Sequence, residues 1–95
     1  MSTWTFLTHH AHVLLHIAQN PDAPVQEIAD VVGISTRSAV KILGDLEAGG
    51  YVERHRRGRR NHYVIHPERP LRHPSNAGHD TGDLIQALAD LRDDT

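Results

Sequence analysis

The apolar positions of this chain change period along its length, and the changes mark its elements. Leu7, Ala11, Leu14, Ile17 and Ala18 share one face at about 100° per residue, which predicts an amphipathic helix from a Thr8 cap to about Asn20, where Pro21 ends it. Asp22-Ala23-Pro24 reads as a turn. A second helix over about Val25–Val32 buries Val25, Ile28, Ala29 and Val32, and Gly33-Ile34-Ser35 breaks it. Ser35 then caps a third helix that turns Ala39, Ile42, Leu43 and Leu46 inward until Gly49-Gly50 stops it. The period next drops to two: strands over about Tyr51–Arg56 and Asn61–His66 bend through Gly58, with Tyr63 and Ile65 on one face opposite Val52. Pro67, Pro70 and Pro74 predict an extended connection over residues 67–79. A final helix from about Thr81 to Leu91 carries a stripe of Leu84, Ile85, Leu88 and Leu91, with Asp80 or Thr81 as its cap and Asp83 in its first turn. Trp4-Thr5-Phe6-Leu7 holds two of the four aromatic residues and is expected to pack against the body.

These elements predict an α+β fold that is mostly α: three helices, a β-hairpin and a C-terminal helix. The second and third helices have the marks of a helix-turn-helix. Ala29 supplies a small residue where two helices cross steeply, Gly33 supplies the turn, and Ile34, Ala39 and Ile42 anchor the inner face. The expected organisation is a winged helix-turn-helix domain over residues 1–66, a proline-containing linker over 67–80 and a C-terminal helix over 81–95 serving as the dimerisation element. Gly44, in the middle of the third helix, costs about 1 kcal/mol relative to alanine, and close approach of another surface is the expected reason for it.

Composition narrows the function. Ninety-five residues fit one domain and leave no room for a catalytic domain. The absence of cysteine excludes disulfides, thiolate metal sites and thiol redox sensing. No apolar run approaches the roughly 18–20 residues of a membrane span, and no leader pattern opens the chain, so a soluble cytoplasmic protein is expected. Paired carboxylates in a pocket, a nucleophile with an ordered base and a phosphate-cradling glycine loop are all missing from the pattern, so no enzyme is expected, and no cofactor.

The formal charge of −2 averages three unlike segments. Residues 1–34 carry Asp22, Glu27 and Asp30 and no Lys or Arg. Residues 35–73 set nine basic side chains against Asp45, Glu47, Glu53 and Glu68, for +5. Residues 74–95 set five aspartates against Arg92. A positive middle between acidic ends predicts a polyanion as partner. Within it, Arg54-His55-Arg56-Arg57-Gly58-Arg59-Arg60 places five guanidinium groups on a hairpin tip, where they repel one another and want phosphate as counter-charge. Arginine can also enter a narrow minor groove. Ser35, Thr36, Arg37, Ser38 and Lys41 line the start and outer face of the third helix with the short hydrogen-bonding and cationic groups a major-groove reader uses. The candidate DNA-binding residues are therefore those five on the helix, with Arg54, Arg56, Arg57, Arg59, Arg60 and Asn61 on the wing. Double-stranded DNA is the expected partner. A winged-helix module that binds protein or RNA is the alternative.

The segment from Ile28 to Ile65 resembles bacterial winged-helix regulators of the broad MarR and ArsR type. The residues that carry the resemblance are Ile28-Ala29-Asp30-Val31-Val32-Gly33-Ile34-Ser35, Leu46-Glu47-Ala48-Gly49-Gly50-Tyr51-Val52 and Gly58-Arg59-Arg60-Asn61-His62-Tyr63. Trp4 to Ala11 and Leu71-Arg72-His73-Pro74 extend the likeness toward short single-domain regulators of this type. The resemblance implies a homodimer that docks the third helix of each subunit in successive major grooves, with the wings alongside. The long terminal dimerisation helices of larger MarR-type proteins and the cysteine ligands of ArsR-type sensors are missing here. Leu84, Ile85, Leu88 and Leu91 are the candidate dimer contact, with the Trp4 and Phe6 segment beside them.

Nine histidines raise a metal-responsive regulator as a further reading. His9, His12 and His16 fall within about 60° of one another on the first helix, opposite its apolar stripe, and i,i+4 histidines can chelate zinc, nickel or cobalt. An exposed polar face that happens to use histidine is the preferred reading, and no metal is expected, since no Asp or Glu in residues 1–21 completes a set. His10 points to the apolar side and reads as a packed or capping group.

Overall fold

A computed structural model describes residues 4–89. Its elements are α1 (His9–Gln19), α2 (Val25–Val32), α3 (Thr36–Ala48), β1 (Val52–Arg57), β2 (Arg60–Ile65), a 3-10 turn at Pro74–Asn76 and α4 (Thr81–Leu88). Val13, Leu14 and Ile17 of α1, Ile28 and Ala29 of α2, and Ala39, Ile42, Leu43 and Leu46 of α3 meet in one core, closed by Val52 and Tyr63 from the hairpin. Val13, absent from the predicted stripe, is fully buried. Two helices converge on α1, so its covered arc is wider than one stripe.

Local chemistry sets the helix ends. Thr8 caps α1 by accepting from the Ala11 amide at 3.2 Å, and Ser35 caps α3 by accepting from the Ser38 amide at 3.1 Å. Gly33 ends α2 with φ of +84°, a left-handed conformation that a side chain would strain, and the turn it makes sends the chain directly into α3. Asp80, one of the two expected caps, forms a reciprocal capping box with Asp83 at the start of α4.

The hairpin pairs Val52 with Ile65 and Arg57 with Arg60, leaving Gly58 and Arg59 as a two-residue tip. Gly58 has φ of +62°, which the primed turns of two-residue hairpins require at this position. At its base the hairpin is held from two sides. The Tyr63 amide donates to the Pro21 carbonyl at 2.8 Å, and His62 bonds Asp22 at 2.7 Å, both in the α1–α2 turn. From the other side, Arg54 pairs with Glu47 of α3 at 3.3 Å.

Two expectations need correction. Residues 67–79 do not run extended: Pro70 bridges to Asp80, the Leu71 amide donates to the His79 carbonyl, and Thr81 and Gly82 return to the carbonyls of Arg69 and Pro67. The Tyr51 hydroxyl donates to Pro70 at 2.7 Å, and Arg69 lies over the Tyr51 ring while donating to the Gly49 carbonyl at 3.0 Å. Prolines removed amide donors here, and long-range partners took up the groups that remained. Trp4 and Phe6 do not pack into the body: they are 68% and 92% exposed and stack edge-to-face on each other at 5.1 Å. At Gly44, where close approach of another surface is expected, no described residue comes within 4 Å of a side chain built there.

Candidate nucleic-acid interface

The outward face of α3 begins at its capped N-terminus. Ser35, Thr36, Arg37, Ser38 and Lys41 are all exposed, as the sequence placed them. Ser35 is committed to the cap, and its hydroxyl also donates to Ser38 at 3.1 Å. Arg37 has no side-chain hydrogen bond or ion pair among the described residues. Lys41 donates to Asp45 one turn on, at 3.3 Å, and Asp45 is bonded in turn by His10 of α1 at 2.8 Å. These two partners, His10 first, hold the Asp45 carboxyl below its ordinary pKa. His10 is thus an exposed partner of α3 and not a packed group on the apolar side.

The wing separates its arginines into two groups. Arg54, opposite Tyr63 near the base, is tied to Glu47 and so braces the hairpin against α3. Arg56 folds over the turn and donates from Nε to the Gly58 carbonyl at 2.8 Å. Arg57, Arg59 and Arg60 are exposed and have no protein partner among the described residues. Three unpaired guanidinium groups around one turn leave a concentrated positive tip. Asn61, opposite Arg56, is half-buried and less available than the arginines beside it. Glu53 on β1 is held below its ordinary pKa by hydrogen bonds from His55 and His66, so its charge is turned to histidines and not to the tip.

Sequence reasoning missed two groups that bear on this face. Glu47 emerges as the brace for Arg54. Val40 is 55% exposed on α3, between Arg37 and Lys41, where helical spacing alone would have put it; its apolar identity drew attention away from it.

The remaining sequence candidates fall elsewhere. His16 is committed to Glu27 at 2.8 Å, and among the described residues no three His, Cys, Asp or Glu side chains gather as a metal site with His9 and His12. In α4, Ile85 packs against the core and Leu84 is half-buried, while Leu88 is 52% exposed. Leu91 lies outside the described residues. Among those residues no helix is long and apolar enough to cross a membrane.

A helix-turn-helix followed by an antiparallel hairpin with a cationic tip defines a winged-helix domain, the architecture of a duplex-binding module. The family model of the MarR family matches residues 5–60, from the segment before α1 to the end of the wing turn. The chain belongs to the MarR family, and it is a DNA-binding transcriptional regulator. Comparison with curated proteins gives no match.

Proposed function

We propose that the protein binds double-stranded DNA sequence-specifically as a homodimer in the cytoplasm. In this reading α3 of each subunit enters a major groove, and the wing lies on phosphates or in the adjacent minor groove. The observation that carries it is the division of labour among the cations. Arg57, Arg59 and Arg60 have no partner among the described residues, while Arg54 is spent on holding their hairpin to α3. Phosphate contacts from the tip supply affinity and register. Base edges are read from Thr36, Arg37, Ser38 and Lys41.

The dimer contact is built on Leu88 of α4, an exposed apolar side chain, with the exposed Trp4–Phe6 pair as a second apolar group. Large exposed apolar side chains are available for association.

Selection of duplexes from a random-sequence pool, followed by fluorescence anisotropy on the enriched sequence, tests the function. A palindromic sequence with half-sites about one helical turn apart is expected; a pool that stays random rejects sequence-specific binding. Replacing Leu88 with Asp is expected to give monomers in sedimentation velocity, and an unchanged dimer rejects that contact.

A further inference from the structure

Two residues on the outward face of α3 cost the helix something and return nothing to the fold. Val40 is β-branched, a poorer helix former than alanine, and is 55% exposed with no place in the core. Gly44, one turn later, is helical, and a side chain built on it would meet no described residue within 4 Å. Neither left-handed geometry nor internal crowding requires glycine there. The stripe runs Arg37, Val40, Lys41, Gly44 and Ala48, all exposed. It is cationic at its start and on one edge, apolar at Val40, and nearly without side chains toward its end.

This profile suits one occupant. The major groove is walled by phosphates and carries, at every thymine, a C5-methyl group projecting from the base edge. Arg37 and Lys41 bring positive charge into the groove, Lys41 from its 3.3 Å bond to Asp45. Val40, at i+3 from one and i−1 from the other, presents two methyl groups to the floor between them. A bare backbone at Gly44 lets the axis of α3 settle deeper than an alanine or a longer residue would allow. Asp45, the acidic neighbour at the edge of the stripe, is turned aside by its bonds to His10 and Lys41.

We infer that Val40 is a specificity-determining residue that reads the C5-methyl group of a thymine in each half-site, with Gly44 providing the clearance that brings it into contact. The inference rests on the proposed function and deepens it.

The experiment uses the full chain and the duplex enriched by selection, together with copies in which each thymine in turn is replaced by uracil, which removes only the methyl group. For the unaltered protein, one uracil position per half-site is expected to weaken binding roughly fourfold, the ordinary worth of one buried methyl-sized group. Val40→Ala, which removes the contact in both subunits, should lower affinity for the thymine duplex roughly fifteenfold and become indifferent to uracil at that position, while keeping its sensitivity elsewhere. Gly44→Ala should move two readouts in opposite directions: the melting temperature rises by a few degrees, and affinity falls about tenfold. If a duplex is enriched but no uracil position loses its effect in Val40→Ala, the thymine reading is overturned and DNA binding stands. If Gly44→Ala binds as tightly as the unaltered protein, the clearance argument is overturned. If no duplex is enriched, the proposed function fails first and the inference falls with it.

Discussion

Substituting Arg59 and Arg60 together with alanine isolates the electrostatic work of the wing. Both side chains are exposed and have no protein partner among the described residues, so their loss should leave the fold intact. Surface changes of this kind stay within about 0.5 kcal/mol, a shift of a few degrees at most in thermal unfolding. Binding should respond very differently. Each phosphate neutralised by a cation contributes a slope of about −0.9 to log K against log salt. Two arginines per subunit in a dimer make four contacts, so the variant's slope should be shallower by about 3.6. Between 50 and 200 mM salt that difference amounts to roughly two orders of magnitude in relative affinity. Anisotropy titrations of the enriched duplex at four or five KCl concentrations measure it directly. A folded variant whose slope stays within about 0.5 of the unaltered protein would show that the tip does not lie on phosphate. A slope change near 1.8 would indicate that one subunit's wing engages the duplex.

Other expectations follow from single contacts. Asp45→Asn removes the carboxylate that holds Lys41 and His10 on α3; DNA affinity should rise several-fold at low salt with a slope steeper by up to about 0.9 per subunit, and weaker binding in the same titration would refute the competition. Ile28→Ala, at a fully buried position where α2 meets α1 and α3, should destabilise the domain by about 2–5 kcal/mol, seen as a drop of 10 °C or more in circular dichroism melting. Asp45 and Glu53 have pKa values depressed in the folded state, so each stabilises the protein above its unfolded pKa and loses that contribution as pH falls through the folded one. Chemical denaturation midpoints should therefore decline on acidification below about pH 4.5. The paired variant Asp45→Asn with Glu53→Gln should flatten that part of the profile; since both carboxylates are half-exposed, the effect is small and fades with salt.

How much of this was written in the chain depends on the range of the interaction. Thr8, Ser35, Gly33 and Gly58 act on neighbours a few residues away, so the helix caps, the turn of the helix-turn-helix and the bend of the wing could be read from spacing alone. The shared face of Val52, Tyr63 and Ile65 was legible from the period of two, and the pairing of Val52 with Ile65 came only with the fold. The return loop was not. Its hold on the body comes from the Tyr51 hydroxyl on Pro70 and from Arg69 reaching back to Gly49, contacts between residues about twenty apart that leave no periodic trace. Trp4 and Phe6 misled because aromatic residues usually find a core, and here they find each other. At the interface, the cations of α3 and the wing were legible as charge. Which of them remain free was not, because Glu47 claims Arg54 and Asp45 claims Lys41 only once the chain has folded.

The loop that stitches Thr81 to the Arg69 carbonyl has a consequence for operator choice. It fastens the start of α4 to a hub, Tyr51 with Arg69, that also seals the last turn of α3. In the proposed dimer, a partner gripping α4 therefore grips α3 through these bonds. Two subunits joined in that way form a caliper whose gap is set by a handful of bonds. Loosening them, for instance with Thr81→Val, should let the pair tolerate an added base pair between half-sites that the intact molecule rejects.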